Sequence, residues 1–134
     1  MRFALGRGVA MTLYVYAARP KATYGTKYGD NAIASVRKKY AKHEVLDPAA
    51  LFDSHERWER SWPGLVDSLD DFVLVPNPDG TIGKGCFDEY QAVRALGISV
   101  RLLVSERDFI AKFYVRKLDS GLSEIRFARV VARS

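Results

Sequence analysis

Short apolar runs alternate with helical patterns along most of the chain, and this alternation predicts the fold class. The runs are rich in β-branched and aromatic residues, which favour buried strands. Strands that alternate with helices predict an α/β fold, in which right-handed crossovers connect parallel strands. We therefore expect a flavodoxin-like or Rossmann-like parallel sheet, flanked by helices, with a strand order of about 2-1-3-4. The expected strands are residues 12–18, 43–47, 72–75 and 99–104.

The first expected helix follows a long loop after the first strand. Ile33, Val36 and Tyr40 have the spacing of one apolar helix face. Asp30 or Asn31 precedes this face and is a candidate cap for the helix.

Two further helical segments separate the remaining strands. Residues 49–70 show a helical pattern that Pro63 and Gly64 should kink or split. A helix over residues 87–96 is expected to stop at Gly97, because glycine is the usual residue just after a helix end.

The last part of the chain changes to a strand-like pattern. Residues 110–132 alternate between apolar and polar positions around a turn signal at residues 119–121, which predicts a C-terminal β-hairpin. The length suits a single domain, residues 1–134, with the hairpin as an extension. We expect residues 1–10 to form a loose arm, unless the natural chain starts at Met11.

The composition narrows the classes of protein to be considered. Hydrophobic residues make up 48% and charged residues 28%, the balance of an ordinary soluble domain. No apolar run approaches the length of a bilayer span, so we expect no membrane partner. A single cysteine, Cys86, rules out an internal disulfide framework and is compatible with the cytoplasm, where we expect the protein.

The net charge of +5 raises the question of nucleic-acid binding. The positive residues are spread along the chain, with modest clusters at residues 37–39 and 126–133. Such clusters are more typical of a solvated face than of a binding stripe. A small nucleic-acid-binding protein is therefore the least favoured of the functions that we consider.

A glycine-rich stretch, residues 80–85, leaves the third strand and begins the third helix. Its glycines match neither the P-loop nor the dinucleotide-binding fingerprint, because they are too close together and Lys84 is not followed by Ser or Thr. The two histidines, His43 and His55, fall on different expected elements, and the cysteine has no partner at ligand spacing. We expect neither a metal site nor a cofactor.

The chemistry that remains is centred on a carboxyl group. Asp88 and Glu89 are expected in the first turn of the third helix, at the carboxyl ends of the strands, where ligands bind in open α/β sheets. A carboxylate there can attack an anomeric carbon and form a covalent ester. A second group must then handle the proton of the leaving group. The candidates for this second role are Tyr14, Tyr16, Asp47 and Asp71.

A simpler interpretation of the two acids needs no chemistry. Asp and Glu are favoured in the first turn of any helix, because the helix dipole stabilises negative charge there. On spacing alone, Asp88 and Glu89 are explained at least as well by this effect as by catalysis.

The context of Glu89 also resembles a known family. Residues 85–89, Gly-Cys-Phe-Asp-Glu, followed by Gly-Ile-Ser-Val at residues 97–100, are similar to the signature of the nucleoside 2-deoxyribosyltransferase-like proteins. In that family a Gly-Thr-x-x-Glu run begins a helix and leads to Gly-Lys-Pro-Val on the next strand. Three further patches resemble the family: Tyr-Ala-Ala-Arg-Pro at 16–20, Asp-Pro at 47–48, and the Asp that begins residues 71–75.

The resemblance implies an enzyme that cleaves the N-glycosidic bond of a nucleoside or nucleotide and passes the sugar to another base or to water. It implies Glu89 as the nucleophile, Asp71 as a carboxylate that assists proton transfer, and Tyr16 as a residue that orients Glu89. It further implies that no cofactor is needed. Because members of the family commonly form oligomers, we expect a homo-oligomer whose partner ligand is a small nucleoside or nucleotide.

The departures from the family pattern favour a phosphorylated substrate and leave a second function open. Arg19 replaces a glycine of the family, and together with Lys84 it would suit a phosphate group. Cys86 and Ser99 replace a Thr and a Pro of the family pattern. These changes, together with the hairpin, leave open a sensor or binding module that binds a nucleotide derivative without turnover. The expected substrate-binding residues are Arg19, Asp47, Gly83, Lys84 and Gly85.

Overall fold

The computed structural model describes residues 12–127, which form two sheets and four α-helices. The expected arm at residues 1–10, Met11 and the end of the expected hairpin after residue 127 lie outside the described residues. The strands are β1 (Leu13–Ala18), β2 (His43–Leu46), β3 (Asp71–Leu74), β4 (Thr81–Ile82), β5 (Ser99–Ser105), β6 (Asp108–Ile110), β7 (Tyr114–Lys117) and β8 (Ser123–Arg126). The helices are α1 (Lys27–Lys39), α2 (Pro48–Leu51), α3 (His55–Val66) and α4 (Lys84–Ala95), and a single 3₁₀ turn covers Lys21–Thr23.

The larger sheet has the order β2-β1-β3-β5-β6, and its first four strands are parallel. The expected class, an α/β fold with a parallel sheet flanked by helices, is confirmed. The order differs from the expected 2-1-3-4 for two reasons. First, the short strand β4 precedes the fourth parallel strand in the chain and pairs with β8 in the smaller sheet. Second, β6 pairs antiparallel with β5 and adds a fifth strand at that edge of the larger sheet.

Neighbouring residues of the central strands enter two different cores, because side chains alternate between the faces of a sheet. Tyr16 and Phe72 pack with α3 and α4 on one face. Val15 and Val73 pack with α1 on the other face. All four side chains are buried, so the central strands have no solvated face.

The helix boundaries differ from expectation at two caps. α1 begins at Lys27, ahead of Asp30, because the side chain of Thr26 accepts a hydrogen bond from the N–H of Gly29 at 3.0 Å and caps the helix. The expected split at Pro63 does not occur, since α3 continues through this residue. The break lies before α3, where the side chain of Ser54 caps the new helix.

The expected C-terminal hairpin is confirmed over residues 114–126. β7 and β8 pair antiparallel, and Gly121 adopts the positive φ that the turn requires. β8 also pairs with β4, and Ile125 is buried in the core that contains Tyr16, so the hairpin covers one end of the sheet. Ile110 belongs instead to β6, which makes the hairpin shorter than expected.

None of the helices within residues 12–127 has the length and apolar character that a membrane crossing requires.

Candidate functional site

Glu89 lies in the second turn of α4, whereas the sequence predicted that it lies in the first turn. The helix begins at Lys84 with Gly83 as its cap, three residues earlier than expected, and its first turn holds no acidic residue. The stabilisation of acids by a helix N-terminus falls off within the first turn. The simple interpretation of Glu89 as a first-turn acid therefore does not apply.

Asp88 and Glu89 are neighbours in sequence but differ in their surroundings. Asp88 forms an exposed ion pair with Lys84, one turn earlier on α4, at 2.9 Å. Glu89 is buried, with a relative exposure of only 4%. Since isolated carboxyl groups are costly to bury, the position of Glu89 calls for specific partners.

Two neutral donors from other elements hold one oxygen of Glu89. The hydroxyl of Tyr16, on β1, donates a hydrogen bond to Oε2 at 2.5 Å. The indole Nε1–H of Trp58, on α3, donates to the same atom at 2.7 Å. Oε1 has no hydrogen-bond partner among residues 12–127, and Glu89 lines a cleft. The carboxyl group is thus fixed on one side and available on the other.

The surroundings bring the ionisation of Glu89 close to neutral pH. Burial raises the pKa of Glu89 to about 7, and the hydrogen bonds from Tyr16 and Trp58 oppose this rise because they stabilise the charged form. Burial, and then the nearby Glu89, raise the pKa of Tyr16 well above its usual value. Tyr16 therefore keeps its proton and acts as a hydrogen-bond donor.

The cleft beside Glu89 has a volume of about 840 Å³, in the range of small-molecule sites. One wall is the first turn of α4, and another is α3 with the loop before it. The ring of His55 stacks on that of Trp58 with centroids 5.4 Å apart, and Phe52 and Tyr24 add further aromatic surface. Aromatic walls of this kind suit a flat ring system.

Arg19 is committed to contacts within the protein. Its Nε and Nη2 donate to the two carboxylate oxygens of Asp47 at 3.0 and 2.9 Å, and its Nη1 donates to the carbonyl of Thr23 at 3.2 Å. The guanidinium also lies over the ring of Tyr24, 5.0 Å from its centroid. A Cβ at Gly29 would lie 2.5 Å from Arg19 Nη1 and 2.0 Å from the Thr23 carbonyl, so this packing requires glycine.

These contacts change the expected roles of Arg19 and Asp47. Both had been expected to bind substrate, with Arg19 suited to a phosphate. Arg19 does line the cleft, but its three nitrogens already have acceptors. The pair instead ties the end of β1 to the end of β2. Arg19 forms part of the cleft wall, whereas Asp47 is not among the residues that line the cleft.

Asp71 does not lie beside Glu89, contrary to expectation. It is the first residue of β3 and pairs in register with Val15, whose side chain is in the core on the α1 face. Its Oδ2 lies 3.0 Å from Nε2 of His43. Because Tyr16 and Glu89 belong to the opposite face, the structure separates Asp71 from the other two predicted catalytic residues.

Of the other predicted residues, Gly83, Lys84 and Gly85 line the cleft together with Glu89. Trp58 was missed as a functional residue, because its spacing with Trp62 indicated only an apolar helix face. The N–H of an indole that packs on an apolar face usually finds a hydrogen-bond partner, and that requirement was the available signal. Groups of side chains that could hold a metal ion are absent from residues 12–127.

Comparison of the chain with protein-family models, with curated proteins and with solved structures gives no match. The resemblance to the nucleoside 2-deoxyribosyltransferase-like family therefore stays a prediction that rests on the residues themselves.

Proposed function

We propose that this protein cleaves the N-glycosidic bond of a nucleoside or nucleotide, with Glu89 as the nucleophile. The observation that carries the proposal is the buried carboxyl group of Glu89, which has one oxygen held by two donors and the other unpartnered in a cleft. A carboxylate in this arrangement is oriented for attack on a carbon atom rather than used up in an ion pair.

In the proposed reaction, Oε1 of Glu89 attacks C1′ of the sugar. The bond between C1′ and the base nitrogen breaks, its electron pair stays with the base, and the base takes up a proton. A glycosyl ester of Glu89 remains. Water or a second base then attacks C1′ and releases the carboxylate, so the acceptor decides between hydrolysis and transfer.

Tyr16 and Trp58 have a positioning role in this scheme. Their hydrogen bonds fix the plane of the carboxyl group and lower its pKa from the value that burial alone would give. Without them, burial would keep Glu89 protonated at neutral pH, and a protonated carboxyl group is a poor nucleophile.

The cleft walls indicate a nucleotide in preference to a bare nucleoside. Trp58, Phe52 and Tyr24 offer aromatic surface for the base. Lys21 and Lys84 line the same cleft. The first turn of α4 also lines it, and the cap residue of this helix, Gly83, has no side chain that would occupy the helix N-terminus. Helix N-termini and lysines both favour phosphate groups.

Chromatography of nucleosides and their 5′-monophosphates after incubation with the protein tests the proposal. We expect the wild type to release free base and Glu89→Gln to release none. The matched control is Glu44→Gln, which makes the same change at an exposed glutamate of β2 outside the cleft and should leave base release intact. Absence of base release by the wild type on every substrate, or equal release by Glu89→Gln, would contradict the proposal.

A second experiment examines the covalent step directly. A nucleotide whose sugar carries a fluorine at C2′ slows the release of the ester, because the fluorine destabilises the oxocarbenium-like transition state. Mass spectrometry of the digested protein should find the sugar on the peptide that contains Glu89. A sugar attached to another residue would assign the nucleophile elsewhere.

One observation favours a second candidate function, a binding module without turnover. The carboxyl group expected to assist proton transfer, Asp71, is on the other face of the sheet. Under this alternative, a nucleotide derivative should raise the melting temperature in proportion to its affinity and be recovered intact. Recovery of free base would exclude the alternative.

A further inference from the structure

The proposed cleavage calls for a group that gives a proton to the leaving base. A base leaves poorly as an anion, so an acid normally protonates one of its ring atoms while the bond to C1′ breaks. Asp71 is not placed for this step, because it lies on the α1 face of the sheet, opposite Glu89. The donor must therefore be another group of the cleft.

Several polar groups near Glu89 are poorly suited to this task. Asp88 lines the cleft but is engaged in an ion pair with Lys84. The hydroxyl of Tyr16 is committed to Glu89 itself. Burial raises the pKa of Tyr24 to about 12, so its phenol gives up a proton reluctantly.

His55 occupies a better position. It is the first residue of α3 and lines the cleft beside Trp58, the residue that donates to Glu89. The two rings are stacked, with an interplanar angle of 25°, so the imidazole contacts the same indole that donates a hydrogen bond to Glu89. Imidazole is the side chain that most often transfers protons in catalysis near neutral pH.

Glu59 supplies the orienting group that such an imidazole needs. Its Oε1 lies 2.8 Å from Nε2 of His55, one helical turn away, and Glu59 also lines the cleft. A carboxylate that accepts a hydrogen bond from one ring nitrogen fixes the orientation of the ring and leaves the other nitrogen free to exchange a proton. Both side chains are more than half exposed, as expected for a cleft mouth that a substrate would cover.

We propose that the His55 imidazolium, oriented by Glu59, protonates the leaving base. This inference rests on the proposed glycosidic cleavage. As Oε1 of Glu89 forms its bond to C1′ and the bond to the base breaks, Nδ1 of His55 gives its proton to a ring nitrogen of the base, which leaves neutral. The neutral imidazole then takes a proton from the attacking water, and the sugar leaves Glu89.

A pair of substrates that differ in their need for a proton tests this role. Guanosine 5′-monophosphate and its 2′-deoxy form require protonation of the base, whereas their 7-methyl derivatives already carry a positive charge on the base and leave as a neutral species. We expect His55→Gln to lower kcat on the unmethylated substrates by roughly 100-fold or more. On the 7-methyl substrates, the same variant should remain close to wild type.

Two further variants complete the design. Glu59→Gln should show the same selective loss, smaller in size, because it weakens the orientation of His55 without removing the acid. His43→Gln is the matched control, since the other histidine of the chain lies with Asp71 and should not alter the ratio between the two kinds of substrate. A loss that is equal on both kinds of substrate, or no loss on either, would overturn the role of His55 while base release by the wild type still supported the cleavage. If the wild type releases no base from these substrates but does from another nucleotide, the role of His55 is refuted for guanine and the cleavage stands; if it releases no base from any nucleotide, both are refuted.

Discussion

Two polar regions on opposite faces of the sheet use the same residue types in different ways. The Glu89 region consists of Tyr16, Arg19, Asp47, Trp58 and Glu89, and the Asp71 region consists of Tyr40, His43, Asp71 and Arg101. Each contains a tyrosine, an arginine and at least one carboxylate. Only the first lies beside an 840 Å³ cleft.

The two regions differ in how far their carboxyl groups are exposed to solvent and in the kind of partner that each carboxyl group has. Glu89 is buried and has two neutral donors, so no opposite charge fixes its ionised form. Asp71 is partly exposed, with 21% of its side chain accessible, and its partner is a histidine. Burial and the kind of partner therefore distinguish Glu89 from Asp71, whereas residue type does not.

The two regions should differ most in the free energy of unfolding that is lost when their arginine is replaced. Arg19→Met leaves Asp47 unpaired in a site where the side chain of Arg19 is only 3% exposed, and breaking a buried ion pair costs about 3 kcal/mol or more. Arg101→Met removes a long hydrogen bond, 3.5 Å, to the hydroxyl of Tyr40 and should cost less than about 1 kcal/mol. Urea unfolding at neutral pH measures both changes. Equal losses in the two variants would show that the regions do not differ in this way.

Part of this contrast was predictable from the sequence, and part was not. The β-branched and aromatic runs at residues 12–18 and 72–75 predict buried strands, because such residues pack well on a sheet that is covered on both faces. The family resemblance implied that Tyr16 orients Glu89, whereas the residues alone left Tyr14, Asp47 and Asp71 open as well. The proximity of Tyr16 and Glu89 is confirmed by their hydrogen bond.

The face on which Asp71 lies could not be predicted, because it depends on register. Side chains alternate with a period of two, so a shift of one residue moves a side chain to the other face. The structure pairs Asp71 with Val15 and places Phe72 beside Tyr16. Nothing in the sequence distinguishes this register from its neighbour. The partner of Trp58 was equally hidden, since it depends on how α3 packs against α4.

The pH dependence of stability provides a second contrast. The unfolded chain releases the Glu89 proton near its ordinary pKa of 4.5, whereas the folded protein holds it to about 7. The contribution of Glu89 to the free energy of unfolding is therefore fully present below about pH 4.5 and is lost as the pH rises to about 7. At about 1.4 kcal/mol for each pKa unit, the loss amounts to roughly 3 kcal/mol.

The variant Glu89→Gln isolates this effect. The free energy of unfolding of the wild type, measured in urea relative to Glu89→Gln, should fall between pH 4.5 and 7 and stay level above that range. Asp71→Asn retains the Glu89 carboxyl group, so its own profile should keep the fall. A difference that rises with pH would mean that Glu89 is stabilised as a carboxylate in the folded protein.

The tyrosines provide a third contrast, in the ionisation of Glu89. The hydrogen bond from Tyr16 lowers the pKa of Glu89, so Tyr16→Phe should raise that pKa by about one pH unit above its value of about 7. Tyr40→Phe removes a hydroxyl from the other region and should leave the pKa of Glu89 unchanged. Carbon-13 NMR of the labelled glutamate carboxyl groups measures both. If Glu89 is the nucleophile, the acidic limb of kcat/KM should move by the same amount.

The smallest expected effect is the coupling energy between His43 and Asp71. Both side chains are partly exposed, at 16% and 21%, and the ring Nδ1 of His43 is buried without a hydrogen-bond partner among the described residues. Solvent screens such a pair, so a double-mutant cycle of His43→Gln and Asp71→Asn should give a coupling energy below about 1 kcal/mol. The same cycle for Tyr16→Phe and Glu89→Gln should give a larger coupling, because that hydrogen bond is buried and can join a charged carboxylate. A stronger coupling at Asp71 than at Glu89 would reverse the assignment, and it would make the α1 face of the sheet the one on which a carboxyl group is held for chemistry.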